Sequence, residues 1–116
     1  MNPGLLLLPI ALLASAATAE PGGEIGYPQG SLGYDALVNA NYATAEQQIL
    51  DSNIGKNDPA RLINLGQIYR KTGRTELAIQ VLEAAARLDE VELILANGEV
   101  IGSRDAARKA LAALRK

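Results

Sequence analysis

The densest run of oxygen-bearing side chains is Asp51-Ser52-Asn53-Ile54-Gly55-Lys56-Asn57-Asp58, close enough together to suggest a calcium loop. The spacing fails that chemistry. Counting from Asp51, the glycine falls one position early, Lys56 stands where the sharp turn needs glycine, and the twelfth residue is Leu62 rather than a bidentate Glu. The segment reads as a polar turn between helices. Asp89 and Glu92 could form a carboxylate pair, but no apolar enclosure that would shift their proton affinities is legible around them. The chain has no Cys and no His, which removes disulfides, the usual zinc ligand sets and every Ser–His or Cys–His nucleophile. Glu20 to Gly30, EPGGEIGYPQG, has the glycines of a phosphate cradle but neither a preceding strand nor a following Gly-Lys-Ser/Thr. Catalysis, metals and cofactors are therefore not expected.

The side chains left with recognition chemistry sit in DPARLINLGQIYRKTGRTELAIQVLEAAARL, residues 58–88. Asp58 followed by Pro59 predicts a helix start: a carboxylate that accepts from first-turn N–H groups, then a residue whose missing N–H has no consequence there. Leu62, Leu65, Gly66 and Tyr69 recur at helical spacing, while Arg61, Gln67 and Lys71 fall elsewhere. Gly73 predicts the stop, with Arg70, Lys71 and Arg74 suiting the negative end of the helix dipole. A second helix follows from about Thr75, with Leu77, Ala78, Val81, Leu82, Ala85 and Ala86 as its apolar face. Gly66, Ala78 and Ala85 would let the two helices approach closely at their crossing.

The order Leu65-Gly66, Tyr69, Gly73, Ala78, Leu82, Ala85 resembles the tetratricopeptide repeat, a helix pair with this small/large pattern over about 34 residues. Leu62 stands where that family often has Trp, and Glu90 where it often has Pro. The resemblance implies that the first helix of each pair lines a concave groove that holds a peptide segment of a partner. It implies Asn64, Gln67, Arg70 and Lys71 as partner-binding residues, Asn64 matching an asparagine often used to hold a peptide backbone. Amides both donate to and accept from a peptide bond, and Arg or Lys can take a carboxylate.

Around this centre the chain repeats itself. A shift of 33 residues lays Leu32-Gly33 on Leu65-Gly66, Ala40 on Gly73, Ala45 on Ala78, Ile49 on Leu82 and Ser52 on Ala85. Gly/Pro sequence upstream of Ser31 truncates the first copy, predicting a short helix near Leu32–Asn39 and a full one near Tyr42–Ser52. Its inner face would be Leu37, Ala45 and Ile49, with Tyr42 beside them. After Leu88, apolar residues on either side of Asn97-Gly98 predict a β-hairpin that sets Leu95 opposite Val100 and Ile94 opposite Ile101. A short helix from Asp89 capped by Asn97-Gly98 is the competing reading. Ser103 would cap a last helix striped by Ala106, Ala107, Ala110, Leu111 and Leu114.

The N-terminus suggests a compartment. Leu5 to Leu13 is an apolar run of signal-peptide length, shorter than the ~20 residues that span a bilayer, and Ala17-Thr18-Ala19 is a small-x-small cleavage pattern. Cleavage after Ala19 would leave 97 of the 116 residues, with every charged side chain among them, for a periplasmic or secreted protein. The net charge of −2 with pI near 5.1 argues against nucleic acid.

The expected fold is all-α: a short helix-turn-helix stack of one full and one truncated repeat, with a short C-terminal β-hairpin and a capping helix. Residues 1–19 form the signal peptide, 20–31 a flexible lead-in and 32–116 the helical domain. Within that domain the repeats span about 32–57 and 58–90, the hairpin about 91–101 and the capping helix about 103–115. The expected function is a non-catalytic protein–protein interaction module with an unidentified protein or peptide partner and no integral membrane span in the mature chain. The alternative is a homo-oligomeric envelope element, a homodimer meeting through Ile94 and Ile101.

Overall fold

The computed structural model describes residue 27 and residues 30–94 and 98–115. The expected signal peptide and most of the lead-in lie outside the described residues. Among the described residues five helices and one hairpin follow in order: α1 (Tyr34–Val38), α2 (Tyr42–Asp51), α3 (Pro59–Lys71), α4 (Thr75–Arg87), β1 (Glu92–Ile94), β2 (Val100–Gly102) and α5 (Ser103–Leu114).

Helix α3 starts and stops where its sequence dictates. The Asp58 carboxylate accepts from the Arg61 N–H at 3.1 Å, with Pro59 in the first turn. At the other end Gly73 takes φ 80, and two N–H groups fold back: Gly73 to the Arg70 carbonyl at 3.3 Å, and Arg74 to the Tyr69 carbonyl at 2.7 Å. This is a Schellman turn. It aims α4 back along α3, and Leu82 of α4 seats directly on Gly66, where a Cβ would stand 2.7 Å from Leu82 Cγ and Cδ2. Ala78, Leu82 and Ala85 of α4 are buried as its stripe predicts. Leu77 is not. It is exposed, because it lies one helical step from Ala78 in the first turn, on the flank turned away from α3.

The first copy follows the same plan in shortened form. Ala45 and Ile49 of α2 are buried with Ala36, Leu65 and Ile68, and Leu37 and Tyr42 pack against that cluster. A second cluster lies on the opposite side of α3 and joins Ala60 and Ile63 to Leu82, Leu93 and the alanine stripe of α5. Helix α3 stands between the two, buried continuously from Ala60 to Ile68.

The hairpin forms, and the competing short-helix reading is set aside, but its register differs from the expected one. Leu93 pairs with Ile101 and Ile94 with Val100, one residue away from the register of a two-residue turn, and Gly98 takes φ 90. Odd-length connections closed by a left-handed glycine produce this offset. Because side chains alternate across a strand, the slip turns Ile101 inward beside the fully buried Leu93 and leaves Val100 in water. Leu95, the expected partner of Val100, lies outside the described residues.

Helix α5 begins at the expected place with a different cap. Gly102 holds the N-cap position, and the Ser103 hydroxyl instead accepts from the Val91 N–H at 2.9 Å, while the Ser103 N–H donates to the Val91 carbonyl at 2.7 Å. The cap comes from Glu90, whose carboxylate accepts from the Arg104 N–H at 2.9 Å. A Cβ on Gly102 would lie 2.5 Å from the Glu90 carboxyl carbon, so a glycine is what lets that carboxylate reach the helix end.

Candidate functional site

All four expected partner-binding residues stand on α3, Asn64, Gln67 and Lys71 on one face by their spacing and Arg70 beside them. Their environments differ along the helix. Asn64 and Gln67 are buried, Arg70 is half-buried and Lys71 is exposed. The Asn64 amide donates through Nδ2 to the backbone carbonyl of Leu32 at 2.8 Å. Its carbonyl oxygen Oδ1 and the Arg70 Nη2 are buried without a hydrogen-bond partner among the described residues. One is an acceptor and the other a cationic donor, the two halves of what an extended peptide segment can satisfy.

Asp58 links the N-terminal end of α3 to Tyr27. While its Oδ1 caps α3, its Oδ2 accepts from the Tyr27 hydroxyl at 2.7 Å. Burial, with the Asp58 carboxylate beside it, pushes the Tyr27 phenol well above the ordinary tyrosine range. The carboxylates of the polar turn at 51–58 are thus engaged within the chain: Asp58 as described, and Asp51 accepting from Gln47 Nε2 at 2.9 Å. Asp89 is fully exposed, with the Arg104 guanidinium 3.9 Å away, so it sits in no enclosure of the kind catalysis requires.

Two positioning residues escape sequence reasoning. Arg61 is buried, and its Nη1 donates to the Ile49 carbonyl at 2.8 Å and to Ser52 Oγ at 3.3 Å, closing the C-terminus of α2 from the first turn of the next helix. A guanidinium at a helix end is a recurrent device, but nothing in the sequence says which helix end a long side chain will reach. Arg74 makes a two-pronged contact with Glu46, Nη2 to Oε1 at 2.6 Å and Nη1 to Oε2 at 3.1 Å, and lies 4.7 Å over the Tyr69 ring. The Arg74 hydrogen bonds hold the Glu46 carboxyl below its usual range, against a smaller opposing effect of burial. Both residues fasten the α2 end of the first copy to the second.

Ile94 and Ile101, the candidate oligomer contacts, fall on opposite faces of the hairpin. The offset register separates them, so they form no joint patch; among the described residues of this region the exposed large apolar side chains are Val91 and Val100. Among the described residues no helix is long and apolar enough to cross a membrane.

Residues 60–92 match the family model of the tetratricopeptide repeat. The matched segment is the α3–α4 pair with the chain leading into the hairpin. No curated protein and no solved structure matches the chain.

Proposed function

We propose that this chain, which carries a tetratricopeptide repeat, is an exported, non-catalytic interaction module that holds an extended peptide segment of a partner protein along α3. Repeats of this family serve protein–protein interaction. The observation that carries the reading to particular residues is the pair of buried atoms on one helix, Asn64 Oδ1 and Arg70 Nη2, that have no hydrogen-bond partner among the described residues. Leaving such groups unsatisfied costs roughly 1–3 kcal/mol each, and a peptide that donates an N–H to one and offers an oxygen to the other removes that cost. Lys71, exposed on the next step, adds attraction for a carboxylate or acidic side chain. Export rests on the apolar run and small-x-small pattern of residues 5–19.

The test is selection of peptides from a random display library on the intact chain. Peptides so obtained are expected to lose at least about tenfold in affinity for the Arg70→Glu/Lys71→Glu double variant while its circular dichroism stays helical, as the removal of a charge-assisted contact predicts. Undiminished affinity would place the binding surface elsewhere.

A further inference from the structure

The groove proposed along α3 is not bare. We propose that the segment entering α1, carried by Tyr27 and by Gly30 to Leu32, is an internal ligand of that groove, and that a partner peptide binds by displacing it; this rests on the reading of α3 as the peptide-holding helix. The segment engages the groove with the three kinds of group a peptide ligand offers. An aromatic hydroxyl reaches a carboxylate, Tyr27 to Asp58 at 2.7 Å. An aliphatic side chain fills an apolar slot: Leu32 is fully buried in the cluster that holds Ala60 and Ile63. A backbone carbonyl meets an amide, that of Leu32 accepting from Asn64 Nδ2 at 2.8 Å.

The backbone of this stretch is a glycine-bracketed turn that leads into α1. Gly30 to Leu32 form a turn closed by the Gly33 N–H on the Gly30 carbonyl at 3.1 Å, and both bracketing glycines take left-handed φ, 85 at Gly30 and 68 at Gly33. The turn runs directly into α1, whose N-cap is Gly33. Because it is tethered, it competes at an effective concentration in the millimolar range, so an incoming peptide sees a groove weakened by that occupancy. The contacts also name the competitor's class: a segment with a tyrosine and, five residues later, an aliphatic side chain, as in Tyr27 and Leu32.

The probe is a fluorescein-labelled synthetic peptide of the chain's own sequence YPQGSLG, residues 27–33, titrated by anisotropy against the full chain and its variants. Tyr27→Phe deletes one hydroxyl and leaves every core side chain in place, so its folding is not in question. Losing a hydrogen bond to a carboxylate should release the internal segment and tighten probe binding by about tenfold, with Leu32→Ala giving a further gain if helicity is kept. Equal affinity for the full chain and for Tyr27→Phe overturns the internal-ligand inference and leaves the groove reading standing. Absence of binding to all three proteins, with Tyr27→Phe helical, overturns the groove reading and this inference with it.

Discussion

The two helix pairs of this chain close with the same turn on different residues. After α3, Gly73 adopts φ 80 and the Gly73 and Arg74 N–H groups return to Arg70 and Tyr69. After α1, Ala40 adopts φ 59, and the Ala40 and Asn41 N–H groups return to Leu37 and Ala36 at 3.0 and 2.7 Å, each 33 positions earlier. Ala40 is the only non-glycine residue with positive φ among those described. A β-carbon in that region costs about 1 kcal/mol or more. The reversal of the chain is therefore imposed from outside the turn, by the seating of Ala45 and Ile49 on Leu65 and Ile68, and the truncated copy carries strain that the complete copy avoids. The close approach of helices differs as well. In the complete pair Gly66 makes room for a side chain, Leu82; in the truncated pair Gly33 makes room for backbone, with a Cβ placed 3.0 Å from the Ala45 carbonyl oxygen.

The largest effect should come from breaking the complete pair at its crossing. Gly66→Val drives a branched side chain into Leu82 and should lower unfolding free energy by about 3 kcal/mol in urea denaturation, with part of the loss recovered by adding Leu82→Ala. A change of under about 0.5 kcal/mol would mean that the helices can simply move apart.

The turn itself sharpens the comparison, because matched substitutions should act with opposite signs. Ala40→Gly should stabilise by about 0.5–1 kcal/mol, relief of left-handed strain outweighing the added freedom of the unfolded chain, and Gly73→Ala should destabilise by a similar amount. A Cβ at Gly73 would meet nothing within 4 Å, so any loss there is conformational rather than steric. Shifts of the same sign in thermal melts of the two variants would refute the equivalence of the turns.

The smallest effect concerns the fastening between the pairs. Glu46 is held below its ordinary proton affinity by Arg74. A depressed folded-state value means that the contribution is complete above the ordinary carboxyl range and fades as pH falls through the folded-state value. Both side chains are partly exposed, so the gain is modest and screened by salt. Glu46→Gln should accordingly flatten the acid limb of a stability–pH profile and leave the alkaline limb alone; an unchanged acid limb would show that the pair contributes nothing.

What the sequence discloses here is governed by range. Asp58-Pro59 and Gly73 mark the ends of α3 because caps and left-handed stops act within one turn, and the stripes of α4 and α5 are legible because burial repeats at the helical period. Asn97-Gly98 announced a hairpin but not its register, since one residue of connection length decides which face turns inward. Long polar side chains were the least legible. Arg61 reads as a surface residue until Ile49 and Ser52 stand before it, and Glu90 as a lapse from the family pattern until it reaches the amide of Arg104. At the candidate site, the alignment of Asn64 and Gln67 was readable, but their burial was not, because the carbonyl that meets Asn64 comes from Leu32, outside the repeat they belong to.

The position of α3 between two cores has a consequence for how the chain comes apart. Linear repeat arrays open unit by unit, since each unit meets only its neighbours across a separable interface. Here Leu65 and Ile68 belong to one cluster and Ala60, Leu62 and Ile63 to the other, on a single thirteen-residue helix. Withdrawing either side strips apolar surface from the same element that holds the other. The arrangement looks modular in its sequence and is indivisible in its energetics: a two-sided keystone, whose loss at one end is felt at both.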